Sequence, residues 1–110
     1  MKYRKAFFVR KLPGMDEEVL SFLCETSVFL TLGSEGYGSQ EDTMRKKLKS
    51  RIFDPAQDVI VPSGPSWINL LLGLVLAELW SGSWINFAIY NRKSNRYTVV
   101  SKKVGHANTQ

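Results

Sequence analysis

The segment from Trp67 to Trp80 constrains this chain more than any other. It runs for about 14 residues with only two polar side chains, Asn69 and Glu78. A helix that spans a bilayer needs about 20 apolar residues, so this segment predicts a buried helix and not a membrane anchor. A helix with so little polar surface is expected to be covered on most sides. We therefore expect it at the centre of the domain or at an interface between two copies.

The segments around this helix alternate between the patterns of strands and helices. Strands are predicted at residues 3–12, 27–33, 58–62, 84–90 and 96–103, and two further helices near 15–23 and at 40–53. The order β-α-β-α-β-α-β-β predicts an α/β domain with a mostly parallel sheet and a carboxyl-terminal antiparallel hairpin. At 110 residues the chain has the size of one domain. This domain is expected to span 1–104 and to be followed by a flexible tail, 105–110.

Charge and the rare residue types narrow the function. The net charge of +5 favours an anionic partner by long-range attraction. The basic residues do not alternate with aromatic ones as in RNA-binding sheets, so no long nucleic acid is expected as a partner. The single cysteine, Cys24, lies in an apolar helical pattern and predicts a core residue in a reducing compartment, the cytoplasm. The one histidine, His106, lies in the tail, and no clustered metal-ligand motif is present, so neither a metal nor a cofactor is expected.

The loop Ser63-Gly64-Pro65-Ser66 joins a short buried strand to the apolar helix. In an open α/β sheet, ligands bind outside the carboxyl ends of the strands, near the free amides of helix amino termini. Two hydroxyls, a glycine that permits close backbone approach and the start of a helix favour a site for a phosphate or ribose oxygen. The same residues also fit a tight turn in which Ser66 caps the helix.

Two further loops are expected at the same edge of the sheet. Arg10 and Lys11 follow the first strand, and they either add cationic contacts to the same anion or are ordinary surface charges. The loop 34–39 follows the second strand, is rich in glycine, and supplies Ser34 as a further candidate ligand contact.

The sequence resembles the small CRISPR-associated ring nucleases along most of its length. The residues that carry the resemblance are Phe7-Phe8-Val9 followed by Leu12-Pro13, Asp16-Glu17-Glu18, Asp58-Val59-Ile60-Val61-Pro62, Leu76-Ala77-Glu78-Leu79 and Phe87-Ala88-Ile89-Tyr90. These proteins are similar to stand-alone CARF domains, the Rossmann-like sensors of cyclic oligoadenylates, and most form homodimers with the ligand across the twofold axis. The resemblance implies a single small Rossmann-like (CARF-like) domain that forms a homodimer.

The resemblance also implies a site. It places Ser63, Gly64 and Ser66, with Pro65 in the same loop, against the phosphates or riboses of a cyclic oligonucleotide, together with Arg10 and Lys11. The loop after the second strand departs from the pattern of the family. The expected function is to bind a cyclic oligoadenylate and to cleave it slowly, which switches off a type III CRISPR-like antiviral response.

Cleavage is expected to need no metal. The chain has no histidine outside the tail and no cluster of metal ligands, so the nucleophile would be the ribose 2′-hydroxyl of the ligand itself, held in line with the phosphorus. Ser63, Arg10 and Lys11 are the candidate catalytic residues, which would stabilise charge on the phosphate. Two alternatives remain open: a sponge that sequesters the same messenger, and a small regulator that engages a protein or RNA through residues 67–84 and the basic helix.

Overall fold

Strands and helices alternate along the residues that the computed structural model describes, which are 2–11, 16–31 and 36–105. The strands are β1 (Tyr3–Arg10), β2 (Cys24–Thr31), β3 (Val59–Val61), β4 (Trp84–Asn91) and β5 (Arg96–Lys103). The helices are α1 (Glu17–Leu23), α2 (Tyr37–Lys47) and α3 (Ser66–Leu79). Their sequence along the chain confirms the predicted order β-α-β-α-β-α-β-β.

The strands form one sheet in the order β2-β1-β3-β4-β5. β1 pairs in parallel with β2 and β3, and β3 pairs in parallel with β4. β5 returns antiparallel to β4, so the mostly parallel sheet and the terminal hairpin are both confirmed. The strand order differs from the Rossmann order, in which β1 lies between β2 and β4. Here β1 lies between β2 and β3.

The two faces of the sheet are covered unequally. One face packs against α2 and α3 through Phe7, Val9 and Ile60. The other face packs against α1, which is only 7 residues long. This short helix leaves Trp84 of β4 63% exposed. The continuous apolar run 6–9 is explained by β1, which is buried on both faces because α2 and α3 cover one face and α1 covers the other.

The first helix begins and ends abruptly. Asp16 caps α1 by accepting hydrogen bonds from the amides of Glu18 and Val19 at 3.0 and 3.3 Å. α1 ends at Leu23, and Cys24 is already the first residue of β2. The prediction that Cys24 lies in a helix is therefore wrong, because the apolar pattern continues from the helix into a buried strand without a turn. The prediction of a core position is confirmed, since Cys24 is 5% exposed.

The second helix is shorter at its carboxyl end than predicted. α2 ends at Lys47, and the amides of Ile52 and Phe53 both donate to the carbonyl of Lys49 at 2.9 Å in a tight turn. This turn buries Phe53 completely and leaves Ile52 40% exposed. The four-residue spacing of Met44, Leu48 and Ile52 in the sequence predicts one continuous apolar stripe along a helix. In the structure Phe53, and not Ile52, is buried in the core.

The apolar helix α3 is not covered on most sides, contrary to the prediction. Its buried face consists of Ile68, Leu72, Val75 and Leu76, but Leu70 and Leu74 are 71% and 66% exposed. Although nearly all of its residues are apolar, α3 has two different faces. One packs against the sheet, and the other is exposed to solvent. Among the described residues, no helix is both long enough and apolar enough to cross a membrane.

A buried carboxylate joins the amino ends of β1 and β3. Asp58 is 0% exposed and accepts hydrogen bonds from Arg4 Nε at 3.0 Å and from a terminal nitrogen of Arg4 at 2.7 Å. It also accepts from the amides of Lys5 at 3.2 Å and Asp54 at 2.8 Å. The same contacts raise the pKa of Arg4 above its ordinary value, chiefly through the hydrogen bonds to Asp58. Asp58 therefore fixes the register of the two strands opposite the edge where the predicted site lies.

The start of the predicted tail packs against the domain. The hydroxyl of Ser81 donates to the carbonyl of Gly105 at 3.1 Å. A β-carbon added at Gly105 would lie 3.0 Å from the α-carbon of Ala77 in α3. Gly105 is thus in close contact with the helix, and residues 106–110, including His106, lie outside the described part of the chain.

Candidate functional site

The strand order creates a reversal between β1 and β3. From β1 the chain moves outward to β2 and then crosses back to the other side of β1. α1 and α2 consequently lie on opposite faces of the sheet. In doubly wound sheets such a reversal opens a crevice at the carboxyl ends of the two flanking strands. These ends carry Arg10 and the Ser63–Ser66 loop, so two of the predicted site segments do meet at one place.

Ser63 joins the two strand ends. Its hydroxyl accepts a hydrogen bond from the amide of Arg10 at 3.1 Å and donates one to the carbonyl of Arg10 at 2.9 Å. The side chain thereby imitates the backbone of a strand and extends the pairing of β1 with β3 by one step. Because the only proton of the hydroxyl is committed to a backbone carbonyl, Ser63 has a positioning role at the base of the loop.

Gly64 is required for the shape of the loop. Its φ of +84° lies in the left-handed region that favours glycine. A β-carbon at this position would lie 3.4 Å from Cβ and 3.7 Å from Cδ of Arg10. The aliphatic part of the Arg10 side chain therefore lies directly against the glycine, which fixes the direction in which the guanidinium leaves the sheet.

Two polar atoms beside this loop lack partners. Arg10 Nε and Asn69 Oδ1 are shielded from solvent and make no hydrogen bond within the described residues. Asn69 contacts the loop directly, since its amide nitrogen lies 3.4 and 3.3 Å from the carbonyls of Ser63 and Pro65. A buried polar group without a hydrogen-bond partner lowers stability by about 1–3 kcal/mol. Most buried polar groups in folded proteins are therefore paired. One donor and one acceptor next to the Ser63–Ser66 loop thus remain unused within the described residues.

Asn69 is not among the site residues predicted from the sequence. It was noted only as a polar interruption of the apolar segment. The signal that could have identified it is its position one turn after the loop, in a helix whose other first-turn residues are apolar or small. An amide at this place has little to bond with except the loop and a ligand.

The helix start differs from the predicted turn. Pro65 is the N-cap of α3, with φ −62° and ψ 151°, and no side chain caps the helix. The prediction that Ser66 caps α3 is wrong, because Pro65 fixes the extended backbone at that position and Ser66 becomes the first helical residue. Ser66 is exposed, and the first amides of α3 have no acceptor within the helix.

The structure separates the two predicted cations. Arg10 lies against Gly64, whereas Lys11 Nζ lies 5.9 Å from the ring centroid of Phe29 on β2. Lys11 is therefore directed towards the neighbouring strand and not towards the Ser63–Ser66 loop. Ser34, the remaining predicted contact, belongs to the segment 32–35 and lies outside the described residues.

The basic helix α2 uses part of its charge internally. Arg45 forms ion pairs with Glu41 at 2.6 Å, Asp42 at 2.8 Å and Glu78 of α3 at 2.7 Å. The hydrogen bonds from Arg45 hold the pKa of Glu78 below its ordinary value. Lys47 Nζ donates to the carbonyl of Phe29 at 2.7 Å. These contacts tie α2 to α3 and to β2, and they weaken the alternative in which this helix presents its cations to RNA.

Neither a metal-ligand cluster nor a match to a known protein adds to this description of the site. Within ranges 2–11, 16–31 and 36–105, no three His, Cys, Asp or Glu side chains lie close enough together to hold a metal ion. Comparisons with family models, with curated proteins and with solved structures found no match for this chain.

Proposed function

We propose that this domain binds an anionic nucleotide in the crevice between β1 and β3. The observation that carries the proposal is the pair of shielded, unpaired atoms, Arg10 Nε and Asn69 Oδ1. A nucleotide supplies both missing partners. Its phosphate oxygens accept from a guanidinium, and its ribose hydroxyl or base amino group donates to an amide oxygen.

Charge and backbone support the same ligand class. The chain carries a net charge of +5, which raises the local concentration of anions. The open first turn of α3 adds backbone amides beside Ser66, and helix amino termini favour negative charge. A neutral ligand could bond to the amide of Asn69, but it would gain nothing from the net positive charge or from the amino terminus of α3.

The specific ligand we propose is a cyclic oligoadenylate, the messenger implied by the resemblance to ring nucleases. Binding without cleavage is the mode that the geometry favours. The hydroxyl of Ser63 is engaged by the backbone of Arg10, and Lys11 is directed towards Phe29. Of the three candidate catalytic side chains, only Arg10 remains available to a phosphate. The domain would then act as a sponge that lowers the concentration of the messenger and so attenuates an antiviral response.

Thermal unfolding with a panel of cyclic and linear nucleotides tests this proposal. A ligand at 100 times its dissociation constant should stabilise the native state by about 2.7 kcal/mol. Arg10→Gln should remove most of this effect, whereas Arg92→Gln, at an exposed arginine of the hairpin turn, serves as the matched control. Gly64→Val provides a second variant, although its backbone strain will also lower the stability of the free protein.

The outcomes of these experiments distinguish nucleotide binding from its absence, and sequestration from cleavage. No stabilisation by any nucleotide refutes the proposal, and so does equal stabilisation of the Arg10→Gln variant. Chromatography of the incubated ligand distinguishes the modes, because an intact ring after hours supports the sponge and a 2′,3′-cyclic phosphate product supports the ring nuclease.

The exposed face of α3 supports a homodimer. Leu70 and Leu74 are 71% and 66% exposed and lie about one turn apart. Gly73 lies between them, and a β-carbon added there would meet nothing within 4 Å. No charged residue occurs between Ser66 and Ala77, so two copies of this face can meet without burying a charge. A twofold axis parallel to α3 would place the two Ser63–Ser66 loops side by side, as a ring ligand that spans both copies requires.

The dimer is expected to be weak. Full burial of a leucine side chain contributes about 1.5–3 kcal/mol, so four partly exposed leucines would contribute about 4–8 kcal/mol before the cost of association. Light scattering should detect a dimer near millimolar protein or when ligand is present. Leu74→Glu should give a monomer at every concentration. A monomeric wild-type chain under all these conditions would refute the dimer.

A further inference from the structure

A second cleft lies between α1 and β5, on the face of the sheet against which the short helix α1 packs. Its volume is about 450 Å³, and its lining consists of Tyr3, Val19, Phe22, Leu23, Asn95, Arg96, Tyr97 and Val99. This volume falls within the range of about 300–1,000 Å³ that small-molecule sites occupy. The cleft lies on the α1 face of the sheet and is separate from the Ser63–Ser66 loop. None of the predicted site residues is among its lining residues.

The cleft exists because α1 is too short to cover the sheet. α1 has 7 residues, whereas β4 and β5 have 8 residues each and extend beyond it. Phe22, at the lip of the cleft, remains 74% exposed. The chain thus leaves a large aromatic side chain in water next to an apolar cleft.

One hydrogen bond connects the walls at one end, and a second one lies within the hairpin. Asn95, in the turn between β4 and β5, donates to Asp16 Oδ2 at 3.2 Å, and the hydroxyl of Tyr90 bonds to the side-chain oxygen of Asn95 at 2.5 Å. Asp16 is also the cap of α1. The bond between Asn95 and Asp16 therefore links the hairpin turn to the start of the helix beside the cleft.

Among the described residues that line the cleft, one carries a charge. Arg96 is exposed at its edge, and its side chain makes no ion pair or hydrogen bond with the described residues. The remaining lining is aromatic, aliphatic or amide, and three of the residues, Tyr3, Phe22 and Tyr97, carry aromatic rings. Aromatic walls favour a planar ring as the apolar body of a ligand, and a free guanidinium at the edge favours a carboxylate as its polar end.

We infer that the cleft between α1 and β5 binds a small aromatic carboxylate, with the ring among Tyr3, Phe22 and Tyr97 and the carboxylate on Arg96. This ligand differs from the proposed nucleotide in having a large apolar body and a single negative charge. The cleft is separate from the Ser63–Ser66 loop, so the domain has two independent sites.

Calorimetric titration with naphthoate tests the inference, and the neutral naphthylmethanol is the matched control ligand. We expect naphthoate to bind, and we expect Arg96→Gln to weaken its binding roughly fivefold, as for an ion pair near the surface, without changing the binding of naphthylmethanol. Phe22→Ser should weaken both ligands. Control variants are Arg51→Gln and Ile52→Ser, which alter an exposed arginine and an exposed apolar residue outside the cleft.

Three results would overturn the inference. Absence of naphthoate binding at millimolar concentration refutes the site, and unchanged naphthoate binding by the Arg96→Gln variant refutes the role of the carboxylate. If Phe22→Ser converts a dimer to a monomer, the cleft is a contact between copies and not a ligand site. Gly64→Val and Arg10→Gln should leave naphthoate binding unchanged, so failure of this inference is distinguishable from failure of the nucleotide proposal.

Discussion

Replacement of Asp58 by alanine should be among the most destabilising single changes in this domain. The carboxylate is fully buried and accepts hydrogen bonds from two nitrogens of Arg4 and from the amides of Lys5 and Asp54. Arg4 can turn towards water, because 42% of its side chain is exposed. The two amides have no such escape and would be left unpaired inside the domain.

The expected loss follows from these two amides. Each buried and unsatisfied donor costs about 1–3 kcal/mol, which gives about 4 kcal/mol for Asp58→Ala. A loss of this size is a large part of the ~5–15 kcal/mol that stabilises an ordinary domain. Urea unfolding followed by circular dichroism measures it, and the melting temperature should fall by roughly 15–25 °C.

Two further variants test the physical reason. Asp58→Asn should be nearly as destabilising as Asp58→Ala, because whichever oxygen becomes an amide nitrogen would place donors against an amide and a guanidinium. Arg4→Gln should be clearly milder, since the carboxylate keeps its two backbone donors. If Arg4→Gln destabilises the protein as much as Asp58→Ala, the ion pair dominates and the argument from the backbone amides is refuted.

Three further predictions concern the strand junction, the cysteine and the response to acid. Ser63→Ala should lower stability by about 1–2 kcal/mol in urea unfolding, because two hydrogen bonds to the backbone of Arg10 are lost; a change within experimental error would contradict the positioning role. Burial raises the pKa of the Cys24 thiol, so Ellman's reagent should react slowly with the native protein and quickly in denaturant. Arg45 holds the pKa of Glu78 below its ordinary value of 4.5, so the stability that this pair contributes is present above that pH and is lost as the pH falls through the lower native pKa. Glu78→Gln should remove this small acid-dependent loss, and an unchanged acid profile of the melting temperature would contradict it.

Sequence patterns predicted the elements well because the apolar runs and turn residues agree along most of the chain. They predicted the boundaries less well wherever one pattern continued into the next. Cys24 follows α1 without a break and belongs to β2, and the stripe of α2 was extended to Ile52 although a tight turn intervenes. In both places the deciding contacts come from distant strands, which periodicity does not report.

The candidate site was predictable in its position but not in its chemistry. The rule that ligands bind at the carboxyl ends of parallel strands identified the loop next to Arg10. It did not show that the Ser63 hydroxyl would be used up by the backbone of Arg10, or that Asn69 would contribute an unpaired oxygen. Such facts depend on which polar groups meet after packing. The cleft beside Arg96 was not predicted from the sequence. It results from the shortness of α1, and a short helix leaves no motif in the sequence.

The shortness of β3 has a consequence for how the domain opens. β3 has 3 residues, yet it is the only strand that joins the β4–β5 hairpin to β1 in the described sheet. The hairpin, by contrast, is paired along the whole length of both its strands. Such an arrangement favours local unfolding between β3 and β4, in which the β4–β5 hairpin separates from the sheet as a cooperative unit. Its amides would then exchange with solvent hydrogens earlier than those of β1, and all at a similar rate. Because the hairpin also forms one wall of the α1–β5 cleft, an occupant of that cleft would slow this exchange without touching β3.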